Sequence, residues 1–165
     1  MIVEWTLNGR PLRSEVSPFR RLSDYLRRDL KLLGANVGCS EGKCGACTVW
    51  VDGVTANSCL LWMGQLEGKE VTTIEGLNQK DQFTPLQESL LTCSAVECGF
   101  CIPGIVMTGT ALLDRDPNPS RLEIRESIKG HLCACMGYQK IVDAIQGVAL
   151  PPVSEGEGRV RGKLK

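Results

Sequence analysis

The chain has 165 residues, with 19 basic and 19 acidic side chains and a formal net charge of +0. This balance leaves no basic surplus for nucleic acid or an anionic membrane surface, and no run of about 18 apolar residues predicts a membrane span. Nine cysteines are many for this length, and the N-terminal stretch lacks the basic and apolar regions of a secretory signal. We therefore predict a reducing, cytoplasmic location where cysteines bind metal rather than form disulfides.

The first half of the chain predicts a small sheet packed on one helix. Alternation of apolar and polar side chains, together with β-forming residues, predicts strands at 2–7, 10–16, 48–51 and 70–74. Asn8-Gly9 predicts the type I′ turn of a hairpin between the first two strands. Asp52-Gly53 predicts a turn that ends the third strand. Leucine and tyrosine at helical spacing predict a helix over 21–31.

The second half predicts four helices. Apolar residues at helical spacing place them at about 85–92, 102–113, 121–129 and 141–148. Two begin with capping boxes, at Thr84 with Gln87 and at Ser120 with Glu123, where paired side chains satisfy free backbone N–H groups. The second half should therefore form a four-helix arrangement.

The change in pattern falls at residues 75–83, where Gly, Asn, Gln, Lys and Asp gather. We predict an α+β fold with one domain at 1–77 and a helical domain at 84–150. The last residues, 151–165, are rich in Pro, Gly and charge, and we predict a disordered or partner-wrapping tail.

The segment 38–59 contains the first group of cysteines. Cys39, Cys44 and Cys47 have the C-x4-C-x2-C spacing of a plant-type [2Fe–2S] loop, and Cys59 supplies the fourth thiolate. Three glycines in this loop let the backbone fold closely around an anionic cluster and direct N–H groups at its sulfurs. Disulfides or a zinc site are the alternatives, although zinc sites more often contain two C-x2-C pairs.

Four further cysteines lie beside predicted helix N-termini. Cys98 and Cys101 lie between the first two helices of the second half, and Cys133 and Cys135 lie between the last two. Helix N-termini present free N–H groups and a partial positive charge, which suit an anionic cluster. We predict a second [2Fe–2S] cluster on these four thiolates.

Two other residues bear on this prediction. Cys93 forms a second C-x4-C-x2-C spacing with Cys98 and Cys101, but it ends a predicted helix and its loop lacks glycine, so we predict a buried small hydrophobe. A Rieske centre needs two histidines, and His131 is the single one in the chain. We predict that His131 is a capping or surface residue, with a hydrogen bond near Cys133 as the alternative.

These motifs resemble those of the small iron–sulfur subunits of the xanthine oxidase family of molybdenum hydroxylases. The resemblance covers roughly 2–148 and is carried by the first cysteine group and by the segments 97–104 and 132–138. It implies an N-terminal plant-type ferredoxin β-grasp domain followed by a four-helix [2Fe–2S] domain.

The resemblance also implies a role as the electron-transfer subunit of an oxidoreductase complex, with no substrate-converting site on this chain. The expected partners are a large molybdopterin-binding subunit and a medium FAD-binding subunit. Single electrons would pass between molybdopterin and FAD or another acceptor, with the second cysteine group nearest the molybdenum and the first group beyond it. The alternative is a stand-alone two-cluster ferredoxin-like carrier that serves another oxidoreductase.

The cysteines match the family, but their polar neighbours do not. The family usually has Gln, Arg and Thr where this chain has Glu97, Ala134 and Met136. In the family these neighbours lie at the interface with the pterin cofactor, so we predict pterin-side contacts for Glu97 and Cys135. The charge of Glu97 also predicts a lower potential for the second cluster, because reduction adds negative charge nearby.

Overall fold

The computed structural model describes residues 1–78 and 82–149. A mixed five-stranded sheet is followed by four helices, which confirms the predicted fold class. The predicted tail at 151–165 lies outside the described residues, as does part of the predicted boundary at 75–83. No helix in the described part of the chain has the length and apolar character needed to cross a membrane.

The sheet consists of β1 (Ile2–Leu7), β2 (Arg10–Glu15), β3 (Thr48–Val51), β4 (Val54–Asn57) and β5 (Glu70–Thr72). Its strand order is β2-β1-β5-β3-β4. Strands β1 and β5 are parallel and the other neighbours are antiparallel. The first hairpin turns at Asn8 and Gly9, whose φ angles of 51° and 74° fit the predicted type I′ turn.

Strand β4 is not predicted from the sequence. Asp52 and Gly53 have φ angles of 50° and 77°, so they form a second tight hairpin turn and do not simply end β3. Two of the four residues of β4 are exposed, because it lies at the edge of the sheet. An edge strand with little apolar pattern gives no clear signal in the sequence.

The predicted helix over 21–31 forms as a short helix, α1 (Leu22–Asp24), which continues as a π-helical turn over Tyr25–Asp29. It ends earlier than predicted because Lys31 adopts a left-handed conformation with a φ of 58°. Its apolar face includes Leu26, which is fully buried in the core of the first domain.

The predicted strand at 70–74 is shorter, and a helix follows it. The backbone N–H of Thr73 donates to Asn8 Oδ1 at 2.8 Å, which turns the chain into α2 (Ile74–Leu77). Ile74 and Leu77 pack against the core of the helical domain. The division at 1–77 and 84–150 therefore stays a prediction.

The helical domain contains α3 (Pro85–Thr92), α4 (Ile102–Arg115), α5 (Arg121–Ile128) and α6 (Tyr138–Ala149). Both predicted capping boxes form, at Thr84 and at Ser120. The helices enclose a core that is separate from the core under the sheet. Its fully buried members include Leu90, Ile105, Ile124, Ile141 and Ile145.

The two domains are joined through specific hydrogen bonds as well as packing. Strand β3 lies against α4, and Trp50 Nε1 donates to the Met107 carbonyl at 2.9 Å. Asn36 Nδ2 donates to the Phe100 carbonyl at 2.9 Å. These bonds place the cysteine loop of the first domain beside the α3–α4 loop of the second.

Candidate metal centres

The first cysteine group is assembled by a loop and a hairpin. Cys47 lies one residue before β3 and Cys59 lies just after β4, so the pairing of these strands brings both to the same end of the hairpin. Ser58 strengthens this approach, since its backbone N–H and its hydroxyl both donate to the Cys47 carbonyl, at 3.1 and 2.8 Å. The hairpin thus explains how a ligand distant in sequence joins the loop.

The loop directs backbone N–H groups at Cys39. The N–H groups of Glu41 and Lys43 point at its sulfur, at 3.4 and 3.3 Å. These bonds, led by that from Glu41, lower the pKa of the Cys39 thiol to about 7. Gly42 permits this curvature with a φ of 76°. The loop is therefore built to stabilise a thiolate.

Two side chains that the sequence did not predict also brace this loop. Asn57 Nδ2 donates to the Gly42 carbonyl at 3.1 Å, and an Arg21 guanidinium N–H donates to the Ser40 carbonyl at 3.0 Å. Neither residue belongs to the cysteine spacing pattern. Their role depends on tertiary contacts with the loop, which spacing cannot reveal.

The second group is built by two loops between helices. Cys101 is the N-cap residue of α4, and Cys98 lies just before it on the α3–α4 loop. Cys133 and Cys135 lie on the α5–α6 loop. A hydrogen bond from the Phe100 N–H is the main cause of the lowered pKa of Cys98. Burial is the main cause that raises the pKa of Cys101 to about 12.

A tyrosine fixes the α5–α6 loop. Tyr138 Oη accepts a hydrogen bond from the Cys133 N–H at 2.8 Å and donates to the His131 carbonyl at 3.1 Å. Met136 has a φ of 61° and donates its N–H to the Cys133 carbonyl at 3.2 Å. The turn therefore holds Cys133 from both sides.

Within each group the thiols interact in two close pairs. In the first group Cys39 is paired with Cys44, and Cys47 with Cys59. In the second group hydrogen bonds pair Cys98 with Cys135 and Cys101 with Cys133, and weaker charge interactions also link the two pairs. All nine cysteines lie within the described ranges and are free thiols.

This pairing fits a two-iron cluster. A [2Fe–2S] cluster takes two ligands on each of its two irons. A structural zinc ion instead needs four ligands around one point, and in residues 1–78 and 82–149 no three His, Cys, Asp or Glu side chains converge closely enough to hold a single metal ion. Burial raises the pKa of Cys47 to about 11, so a thiolate there needs a bound cation.

The two groups open on one apolar recess of about 600 Å³. Cysteines of both groups line it, together with Phe100, Leu132 and Ala134. The Leu132 N–H donates to the Cys44 carbonyl at 3.0 Å, which directly joins the loop of one group to the loop of the other. Two redox centres held here would be close neighbours in a rigid frame.

The second group reaches the protein surface. Cys98 and Cys135 are exposed, as is Glu97. Apolar side chains surround them, with Leu132 and Met136 exposed to 63% and 76%. Large exposed apolar side chains beside a functional site are typical of a surface that another protein covers.

The position of His131 differs from the one predicted. The prediction of a capping or surface residue is wrong, because only 5% of His131 is exposed. Its Nε2 lies 2.8 Å from Thr108 Oγ1. Burial lowers its pKa to about 4, so the ring is neutral, and the contact of the ring with the Gly45 backbone offsets this only in part. No pattern near residue 131 signals this burial.

Cys93 is the C-cap residue of α3, which confirms its predicted position at the end of a helix. It packs against the core of the helical domain, as predicted, but it is half-buried and not fully buried. It belongs to neither pair of thiols in the second group. The choice of Cys133 and Cys135 over Cys93 as ligands stays a prediction.

Comparison with known proteins agrees with this geometry. A family model described as a 2Fe-2S iron-sulfur cluster binding domain matches residues 5–72, and one described as a [2Fe-2S] binding domain matches residues 73–146. The chain therefore contains two [2Fe–2S] binding domains, and their order is the predicted one.

Similar proteins are subunits of oxidoreductases. The chain is 41% identical to the nicotine 6-hydroxylase small subunit of Paenarthrobacter nicotinovorans, over 87% of this chain and 86% of that protein. It is 41% identical to the xanthine dehydrogenase iron-sulfur-binding subunit of Escherichia coli O157:H7, over 87% and 91%. Quinoline 2-oxidoreductase from Pseudomonas putida 86 superimposes with a TM-score of 0.87 at 42% identity, over 90% and 92%. The chain belongs to the family of small [2Fe–2S] electron-transfer subunits of molybdenum hydroxylases of the xanthine oxidase type.

Proposed function

We propose that this chain relays single electrons between the molybdopterin of a large partner subunit and FAD or another acceptor, with Cys98, Cys101, Cys133 and Cys135 as the ligands nearest the molybdenum. The observation that carries the proposal is the shared recess, which both cysteine groups line, together with the greater exposure of the second group, where two of the four thiols lie at the surface. When bound, each cluster accepts and releases one electron. Two electrons from one substrate would therefore leave in two successive steps.

The first group, Cys39, Cys44, Cys47 and Cys59, holds the second station of this relay. Its N–H-rich loop stabilises thiolate charge, and three of its four cysteines are buried. The burial keeps water from those sulfurs and favours a stable cluster. A medium FAD-binding subunit would dock on this side of the molecule.

The large subunit would cover the exposed end of the second group. Leu132 and Met136 supply apolar area there, and Glu97 and Cys135 supply the pterin-side contacts. This arrangement places no substrate on the chain itself. Nine free thiols, eight of them in the two paired groups, also support a reducing cytoplasmic location.

The test is a metal count on the complex purified from its native source without dissociation. We expect about four irons, about four acid-labile sulfides and about one molybdenum for each copy of this chain, together with a large co-purifying subunit. About four irons without molybdenum or partner would contradict the proposal and indicate a stand-alone two-cluster carrier. If this chain lacks its second cluster in the purified complex, the assignment of the second cysteine group as ligands is contradicted.

A further inference from the structure

A single buried imidazole lies between the two cysteine groups. His131 is 5% exposed and precedes the second pair of ligands on the α5–α6 loop. It occupies the junction of the first cysteine loop with α4, the helix that begins next to Cys101. Electron relay between two clusters does not itself need an imidazole, so its place at the junction calls for an explanation.

The ring packs against two glycines that also lie against each other. A Cβ on Gly45 would lie 2.5 Å from His131 Nδ1, and a Cβ on Gly104 would lie 3.2 Å from the same atom. The Cβ on Gly104 would also lie 2.4 Å from the Gly45 carbonyl oxygen. The first cysteine loop, α4 and the His131 ring thus approach one another so closely that only glycine fits at these two positions.

Hydrogen bonds hold the ring and its neighbours in this position. His131 Nε2 lies 2.8 Å from Thr108 Oγ1, two residues along α4 from the core residue Val106. The next residue, Leu132, donates its N–H to the Cys44 carbonyl at 3.0 Å. The His131 carbonyl accepts the bond from Tyr138 Oη that also orients Cys133. One short segment therefore contacts both ligand sets.

We infer that His131 is a positioning residue that sets the separation between the two cluster sites. The inference rests on the proposed ligand sets. It goes beyond them because His131 is not one of the eight proposed ligands. A rigid planar ring packed against both Gly45 and Gly104 keeps the first loop from tilting against α4. Asparagine is smaller than histidine but has a planar amide with both donor and acceptor atoms, so it is the conservative replacement at this place.

The test compares His131→Ala with His131→Asn in the purified holo-complex. Both clusters are reduced, and electron paramagnetic resonance records each cluster signal and the magnetic splitting between them. Dipolar splitting falls with the cube of the distance, so it reports separation independently of turnover. We expect both signals in all samples, loss of the wild-type splitting in His131→Ala, and a splitting close to wild type in His131→Asn.

A second pair of variants removes a hydroxyl from α4 with little change of shape. Thr108→Val deletes the partner of His131 Nε2, whereas Thr110→Val deletes a buried hydroxyl that has no hydrogen-bond partner within the described ranges. We expect an altered splitting in Thr108→Val and wild-type splitting in Thr110→Val. This pair decides the question even if His131→Ala fails to fold.

The outcomes separate the inference from the proposed function. Wild-type splitting in both His131→Ala and Thr108→Val, with both cluster signals present, would overturn the positioning role and leave the relay intact. A wild-type complex that lacks one of the two cluster signals would instead overturn the proposed function. Equal loss of splitting in Thr108→Val and Thr110→Val would show general loosening of α4 and would also overturn the inference.

Discussion

The two cysteine groups have the same number of thiols but lie at different depths. In the first group Cys44, Cys47 and Cys59 are buried, with exposures of 8%, 1% and 1%. In the second group Cys98 and Cys135 are exposed, while their partners are buried. Three of the four thiols are therefore buried in the first site, whereas two of the four lie at the surface in the second.

The difference in depth follows from how each group is assembled. A single loop and one hairpin fold around the first site, so the chain supplies its cover locally. The second site is formed where two helix-connecting loops meet, and such loops run over the surface of a helical domain. The comparison teaches that the exposure of each site follows from the elements that build it, and that the second site is the one that a partner can reach more directly.

The largest effect that separates the two regions is expected for Cys133→Ser. The variant removes a buried thiol that we propose as a ligand of the second site, so we expect loss of that cluster and of electron flow from the partner. The first cluster should keep its full signal, because its ligands belong to another domain. Electron paramagnetic resonance of the reduced protein measures both signals.

Cys47→Ser is the matched variant in the first site. It should remove the first cluster and leave the second, and it should also destabilise the sheet domain because the cluster contributes to its folding. Loss of both signals from Cys133→Ser alone would contradict the assignment of the two groups to separate domains.

A smaller, kinetic difference is expected on iron removal. When the purified full chain without partners is treated with a chelator, the second site should lose its iron first, because two of its ligands are exposed. Iron content and the two resonance signals are followed with time. Simultaneous loss, or earlier loss of the first signal, would contradict the difference in depth. Binding of the large subunit should abolish the difference.

Ser120→Ala should affect the stability of the helical domain alone. The Ser120 hydroxyl accepts the Glu123 N–H at 3.3 Å, and the Glu123 carboxylate accepts the Ser120 N–H at 2.8 Å. Loss of this N-cap should lower the free energy of unfolding by about 1 kcal/mol. Hydrogen exchange of the two domains measures where the loss falls. Ser17→Ala, at an exposed position of the first domain, is the control and should have no effect.

The smallest expected effect is on a redox potential. Glu97→Gln removes a negative charge next to Cys98, a charge that already opposes ionisation of that thiol. We expect the potential of the second cluster to rise by on the order of tens of millivolts, since the exposed charge is screened. Glu41→Gln, on the first loop, is the matched control and should shift only the first cluster. A shift of both potentials by Glu97→Gln would contradict the local origin of the effect.

Local features were predictable because their causes lie within a few residues. The Asn8-Gly9 turn, the two capping boxes and the placement of Cys98 and Cys101 before α4 follow from short-range backbone and hydrogen-bond preferences. Errors at this level are also local. Lys31 ends the first helix early, and β4 escaped prediction because an exposed edge strand has little apolar pattern.

The sequence by itself predicted which cysteines form each group, because ligand spacing and helix starts lie within short segments. Only the tertiary structure decided how the thiols pair, how deep each group lies and where His131 resides. Cys39 and Cys98 line one recess, and Gly45 meets His131, although each pair is far apart along the chain. Such contacts depend on how the sheet docks on α4, and the free energy of that docking comes from packing many side chains together, which no single stretch of sequence contains.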